Sequence, residues 1–182
     1  VTFSPTASAD STDTIELSYH NGVSAQSATR AVAGKGRLVG VLTISDGPTY
    51  QYGTVARGST TSMMFAVTYS GELDATAVSE VGLAAPFTFK GGTYPGTGGD
   101  CGATINATCA IVVDYAPGAN GTHTDTIELS YHNGASTTSA TRDLEGTAVD
   151  PALLTITDGA TYDFGLVVKG YTKDKTFTVE NT

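Results

Sequence analysis

The chain repeats itself. The decapeptide DTIELSYHNG runs from Asp13 to Gly22 and again, unchanged, from Asp125 to Gly134, an offset of 112 residues. Laid over itself at that offset, the chain aligns without a gap from Val1 on Val113 to Ser70 on Thr182, and about half of the paired positions are identical. A period of this size is one ordinary domain rather than one coil of a thin solenoid, so the chain reads as beads of a tandem array. Residues 38–149 form one complete unit. Residues 1–37 match the C-terminal part of a preceding unit, and residues 150–182 match the N-terminal part of a following one. The expectation is a stretch excised from a longer array, or terminal pieces that adjacent chains complete. Half a sandwich left alone exposes unpaired strand edges and an uncovered apolar face.

Within the repeat, apolar and polar residues alternate with period two. Thr14 to His20 puts Ile15, Leu17 and Tyr19 on one face, directed at the core, and its copy does the same with Ile127, Leu129 and Tyr131. Asn21-Gly22 and Asn133-Gly134 then mark tight turns. Ala110 to Tyr115 is a strand with Ile111, Val113 and Tyr115 together, ended by Pro117. Met63 to Tyr69 is another, and its copy Phe177-Thr178-Val179 keeps Phe and Val in phase, which selects Phe65 and Val67 as the inward pair. Leu42 to Ile44, Pro86 to Phe89 and Ala140 to Leu144 read as shorter strands. No stretch carries a clean helical stripe. Roughly seven short strands separated by turn signals in one unit predict an immunoglobulin-like antiparallel β-sandwich, all-β throughout.

Particular motifs carry a family resemblance. Tyr52-Gly53-Thr54-Val55-Ala56-Arg57-Gly58-Ser59-Thr60, followed by Phe65 to Gly71, resembles the opening of a choice-of-anchor D domain, one of the Hydin-like (ASH) immunoglobulin-like sandwiches. Asp163 to Gly170 is the same signature in the next unit. Pro86 to Phe89, Gly98 to Cys101 and Cys109 to Pro117 resemble the later half of the family's pattern. Tyr69-Ser70 stands where the family often has Asn. The resemblance implies a tandem domain of large bacterial surface or secreted proteins, with a structural or adhesive role.

Charge narrows the function classes. Asp and Glu number 18 against 9 Lys and Arg, a formal net charge of −9, and there is no Trp. Such a balance disfavours nucleic acid, which needs basic patches, and anionic membrane surfaces. No apolar run approaches the length of a membrane span. Cys101 and Cys109 are the only cysteines and lie close together in the complete unit. In an acidic β-domain that reads as extracellular or cell-surface, an even pair at this spacing predicts a disulfide.

His20 and His132 occupy one repeated position beside the Asn-Gly turn, and His123 falls in an expected loop. No nucleophile sits near any of them in a recognisable turn, so an enzyme is not expected. No cofactor is expected. Calcium is the one ion to consider, because Asp10, Asp13, Asp46, Asp125 and Asp158 fall near strand junctions, yet no D-x-D-x-D loop occurs and dispersed acidic residues that aid solubility explain them more simply. Asn106-Ala107-Thr108 and Asn120-Gly121-Thr122 fit the glycosylation pattern. Tyr94, in the Gly-rich segment 91–99, offers an aromatic contact for a carbohydrate, against the plainer reading of a connection closed by the disulfide.

The joints, Gly34 to Gly40 and Gly146 to Ala152, are too short to be flexible linkers. They predict a semi-rigid rod with bending limited to Gly36 or Pro151. The functional expectation is a structural tandem-repeat segment of an extracellular stalk, fibre or surface filament. The alternative is an adhesive module whose weak glycan or host-surface contacts gain avidity by repetition. The expected partners are neighbouring repeats of the same protein, including strand exchange between chains. The residues expected to hold the fold are Phe65, Val67, Ile111, Val113, Ile127, Leu129, Tyr131 and the Cys101–Cys109 pair.

Overall fold

Alternating residues of high β-propensity, broken by glycine and asparagine, leave the chain no helical option, and the computed structural model, which describes residues 1–182, is built from thirteen strands and no helix. The preceding piece contributes a hairpin of β1 (Asp10–His20) and β2 (Ala25–Lys35). The complete unit contains β3 (Val41–Ile44), β4 (Thr49–Ala56), β5 (Thr61–Ser70), β6 (Ala75–Glu80), β7 (Phe87–Phe89), β8 (Thr104–Ile105), β9 (Cys109–Tyr115), β10 (Gly121–His132) and β11 (Thr137–Val149). The following piece contributes β12 (Leu154–Ile156) and β13 (Val179–Asn181).

Strand register repeats with the sequence. Ile15 lies opposite Arg30 in the β1–β2 hairpin, and Ile127 opposite Arg142 in β10–β11. Leu42 lies opposite Tyr69 between β3 and β5, and Leu154 opposite Asn181 between β12 and β13. Every member of these pairs is displaced by the same 112 residues. The hairpin turns repeat as well. Asn21 Oδ1 accepts from the backbone N–H groups of Val23 and Ser24, both at 2.8 Å, and Asn133 Oδ1 accepts from Ala135 and Ser136, both at 2.9 Å. Each turn is therefore a four-residue loop held by an asparagine side chain rather than a two-residue connection. The preceding histidine takes part: Gly22 N–H donates to His20 Nδ1 and Gly134 N–H to His132 Nδ1.

The complete unit is a two-layer sandwich. One sheet runs β3-β5-β9-β7 and the other β4-β11-β10-β6-β8. All pairs are antiparallel except one: β4 lies parallel to β11. After β3 the chain turns at Asp46, whose φ is +64°, and Gly47, then crosses to the opposite sheet, so β4 arrives alongside β11 in the same direction. At Gly53 (φ +72°) β4 carries one extra residue relative to β11, a bulge that breaks the strict alternation and lets Tyr52 and Val55 both turn inward. That bulge hides β4 from a period-two reading, β6 buries Ala75 and Val78 three residues apart and so shows no alternation, and β8 is only two residues long. Conversely, Ala140 to Leu144 is the middle of the long β11 rather than a short strand.

Between the sheets lies the apolar core. Phe65, Val67, Ile111, Val113, Ile127, Leu129 and Tyr131 are all buried in it, joined by Ile44, Phe87, Tyr115 and Leu144. Phe87 stacks on Tyr115 at 4.8 Å, and Tyr52 leans on both rings at 5.7 and 5.5 Å. Gly146 is glycine because a Cβ there would enter the Tyr115 ring. Three polar ties cross from one sheet to the other. Tyr52 donates to Val113 O at 2.9 Å, and burial pushes its phenol well above the usual range. Leu42 N–H donates to Tyr131 Oη at 3.1 Å. The Arg142 guanidinium donates to Pro48 O at 2.8 Å and to Ile44 O, gripping the β3–β4 turn. Gly47 leaves room for that grip, since a Cβ would overlap the guanidinium.

The preceding piece repeats the β10–β11 hairpin, the following piece repeats only β3 and part of β5 as strands while residues 161–168, the counterpart of β4, form none, and neither piece has a covering layer in residues 1–182. All 27 buried residues lie between Gly36 and Ala148. Leu129 is 0% exposed and its counterpart Leu17 67%; Tyr131 is 3% exposed and Tyr19 54%. Ile44 is 1% exposed and Ile156 64%; Phe65 is 0% exposed and Phe177 40%. The face that Ile15, Leu17 and Tyr19 share repeats the inward face of β10, and within residues 1–182 no second sheet packs on it. Phe65→Ala is expected to cost about 3–5 kcal/mol of unfolding free energy, because it empties a closed site. Phe177→Ala, the same deletion at the same repeat position, is expected to cost less than about 1 kcal/mol. Urea unfolding of the two variants measures the difference.

Candidate functional site

Where residues 1–37 and 150–182 adjoin residues 38–149 a carboxylate is hydrogen-bonded at each junction, the first tying two pieces together and the second fixing only the residue that leaves β11. At the first, β2 ends at Lys35 and β3 begins at Val41. Glu72, in the loop after β5, accepts from the Leu38 backbone N–H at 2.9 Å and from the Ser8 hydroxyl, so one side chain of the complete unit clasps both the connecting segment and the preceding piece. Leu38 O accepts in return from the N–H groups of Glu72 and Leu73, each at 3.1 Å, and Gly40 N–H donates to Asn133 O at 3.0 Å. On the other side Asp10 pairs with Arg37 at 2.6 Å and Lys35 at 3.6 Å. Hydrogen bonding from Ser8, then from the Leu38 amide, with the Arg37 charge nearby, holds the Glu72 carboxyl below the usual carboxylate range. Gly36, an expected bend point, is instead buried against Pro5 and the Ala7 carbonyl.

The second joint is shorter still. Val149 O accepts from Arg57 N–H at 2.8 Å, and the next residue, Asp150, receives the Arg57 guanidinium at 2.7 Å and the Asn120 amide at 2.7 Å. Gly58 N–H donates to Pro117 O at 2.9 Å, fixing the loop that presents Arg57. The Asn120 hydrogen bond, then the Arg57 pair, lowers the Asp150 pKa from its ordinary value. Chain periodicity revealed the joints but not these carboxylates. Their partners lie as far as 93 residues away in sequence, and acidic residues in a Thr-rich chain carry no local signature.

Cys101 and Cys109 form a disulfide, with Cα atoms 5.0 Å apart. A disulfide belongs to an oxidising environment. Around it Asp100 Oδ1 accepts from Ala110 N–H at 2.6 Å, while Ala110 O accepts from the N–H groups of Asp100 and Cys101. The Gly-rich segment 91–99 is tied down by its own backbone: Val112 N–H donates to Pro95 O at 2.8 Å and Thr97 N–H to Lys90 O at 2.7 Å. Tyr94 does not project from this loop. It is half-buried, edge-on to Phe89 at 5.6 Å, and burial pushes its phenol up to about 12. Asp100 stands beside the two sulfurs as a potential ligand trio, but the sulfurs are bonded to each other rather than available as thiolates.

The remaining candidates are placed apart from one another. His123 is not in a loop: it lies on β10, where its Nδ1 meets the Tyr115 hydroxyl at 2.9 Å. His20 and His132 serve their turns. Asp13 and Asp125 bind their own following amides, and Asp125 also accepts from Ala84 N–H at 2.8 Å. Asp46 accepts from Ser45, and Asp158 pairs with Lys175 at 2.8 Å. The amide of Asn120, the second glycosylation candidate, is engaged with Asp150, and Asn106 lies in the loop between β8 and β9. No helix long and apolar enough to cross a membrane is present.

No protein-family model and no curated protein matches the chain. Among solved structures it is similar to the VesB protease of Vibrio cholerae, at 16% identity and a TM-score of 0.47, over 58% of this chain and 31% of that one. It is also similar to an ASH/PapD-like domain of human CEP192, at 14% identity and a TM-score of 0.43, over 60% of this chain and 86% of that one. A Porphyromonas gingivalis W83 protein of unknown function is similar at 12% identity and a TM-score of 0.40, over 78% of this chain and 67% of that one. At these scores the likenesses carry no functional argument. The fold class rests on the two packed sheets themselves: an immunoglobulin-like β-sandwich.

Opening the disulfide, by reduction or by Cys101→Ala with Cys109→Ala, is expected to lower the stability of the complete unit by about 2–3 kcal/mol, the loop-closure value for so short a loop. Urea unfolding with and without reductant reads it directly.

Proposed function

We propose that this chain is a non-enzymatic structural segment of an extracellular tandem-repeat stalk, fibre or surface filament. The observation that carries the reading is the Glu72 clasp at the first joint. Glu72 bonds to both the connecting segment and the preceding piece, and Asp150 anchors the start of the second connection to the complete unit, which favours a stiff rod over beads on a string. The disulfide supports an oxidising location, and on this reading that location is the cell surface or beyond. Membership of the choice-of-anchor D group belongs to the same proposal and rests on the Tyr52–Thr60 and Asp163–Gly170 motifs. The units need no site of their own in such a role, because the useful property is length and stiffness.

Nitroxide labels at Gln26 and Ser59, one on the preceding piece and one on the complete unit, measure the first joint by pulsed electron resonance. A narrow distance distribution is expected at neutral pH and a broader one in Glu72→Gln. Both joint carboxylates have lowered pKa values in the folded chain. Their contribution is therefore complete above the ordinary carboxylate pKa, about 4, and is lost as pH falls through the lowered values. The distribution is expected to stay narrow down to about pH 4 and to broaden below it. A distribution already broad at neutral pH, unchanged by the Glu72 substitution, overturns the rod.

A further inference from the structure

The chain holds three Asn-Gly pairs, Asn21-Gly22, Asn120-Gly121 and Asn133-Gly134, and the fold equips two of them alike. In such a pair the glycine nitrogen can attack the asparagine side-chain carbonyl carbon and close a five-membered ring, and glycine leaves that approach free of a Cβ. In the two hairpin turns the proton to be lost already has an acceptor. Gly22 N–H points at His20 Nδ1 at 3.1 Å and Gly134 N–H at His132 Nδ1 at 3.2 Å, within reach of a general base. Each imidazole accepts at Nδ1, so its own proton is on Nε2, and both rings are exposed to solvent. We propose that His20-Asn21-Gly22 and His132-Asn133-Gly134 are self-modifying sites, whose asparagine converts through a succinimide to aspartate and isoaspartate with the histidine as base. These sites are independent of the rod reading.

The asparagine carbonyl is prepared as well. Asn21 Oδ1 accepts from Val23 and Ser24 N–H, both at 2.8 Å, and Asn133 Oδ1 from Ala135 and Ser136 N–H, both at 2.9 Å. Those donors draw electron density from Cγ. Oδ1 is also the atom on which negative charge develops, so the same two N–H groups form an oxyanion hole within the roughly 2.7–3.1 Å that such a hole requires. The step balances within the turn. Gly134 N forms a bond to Asn133 Cγ, its proton passes to His132 Nδ1, and the carbonyl electron pair moves to Oδ1. Collapse of that oxyanion breaks the Cγ–Nδ2 bond, and Nδ2 takes the proton back from the imidazolium and leaves as ammonia. Water, the only co-reactant, then opens the ring at either carbonyl and yields aspartate or isoaspartate, each with one more negative charge.

Asn120-Gly121 is a comparison built into the same chain. Ala119 precedes it in place of a histidine, and its side-chain amide is committed to Asp150 at 2.7 Å. It is the same pair of residues without the base. The two equipped turns occupy one repeated position with the same groups in the same roles, so the arrangement belongs to the repeat rather than to a single loop. At Asn133 the consequence reaches further. Its main-chain carbonyl accepts from Gly40 N–H at 3.0 Å, in the segment that leads to the preceding piece. In isoaspartate the main chain runs through Cγ and that carbonyl becomes a free carboxylate, so conversion puts a charge on a hydrogen bond of the connection itself.

Incubation of the folded 182-residue chain at neutral pH, followed by peptide mapping with mass spectrometry, tests this. Amide-to-acid conversion at Asn21 and Asn133, with aspartate and isoaspartate both present, is expected to run about tenfold or more ahead of Asn120. His132→Ala is expected to slow conversion at Asn133 by about tenfold or more and to leave Asn21 unchanged, and His20→Ala to do the reverse. His132→Asn separates a base from a mere acceptor: the new side-chain oxygen keeps the Gly134 N–H bond but does not take its proton, so this variant is expected to be as slow as His132→Ala. Both histidines are exposed, and urea unfolding curves that match the parent chain verify that the variants are folded. Intact asparagine at 21 and 133, conversion there no faster than at Asn120, a rate at Asn133 that His132→Ala leaves unchanged or raises, or a parent rate retained by His132→Asn, overturns the proposal.

Discussion

Covering the apolar face of the β10–β11 hairpin is the requirement on which the rest of this structure depends. Ile127, Leu129, Tyr131 and Leu144 all project from that hairpin to one side and are buried only because β3, β5, β9 and β7 lie across them. The gain is that of any apolar layer removed from water, and the three cross-sheet ties decide the alignment. Tyr52, Tyr131 and Arg142 each place a polar group at the edge of the core against a backbone atom of the other sheet, so sliding either layer leaves a buried polar group unsatisfied. The uncovered hairpin β1–β2 shows the same residues in the same register without that burial, which separates strand formation from core formation within one molecule.

Joints add a second layer of organisation. A connection of a few residues between sandwiches does not by itself set an angle. Here Glu72 recruits donors from the connecting segment and the preceding piece, Asp150 takes both of its donors from the complete unit, and the glycine that might have hinged the first joint is packed against Pro5 and Ala7. Exposed ion pairs contribute little to stability. The effect of Glu72 is geometric: a carboxylate bonded to two segments at once restricts the angle between them even where its net energy is small.

Much of this was legible in the chain. Alternation placed Phe65, Val67, Ile111, Val113, Ile127, Leu129 and Tyr131 on inward faces, because side-chain direction in a strand follows from sequence spacing alone. Two cysteines eight residues apart marked the disulfide. Three features were not legible. The bulge at Gly53 breaks alternation and hid β4; the Asn-Gly pairs open four-residue loops because the asparagine side chain, not the backbone twist, closes them; and His123 belongs to a strand that extends beyond its apolar segment, where polar residues are tolerated.

By itself, then, the sequence determined the period, the strands of each hairpin, the inward faces and the covalent link, all of which depend on residues near one another. Only the tertiary structure decided that β4 would run parallel to β11, that Arg142 would grip a turn 98 residues away while Arg30 grips nothing, and that Leu129 would be buried while Leu17 is bare. The physical reason is the same in each case. Strand direction is local, but burial is supplied by whatever packs on top, and identical decapeptides meet different fates according to whether a second layer reaches them.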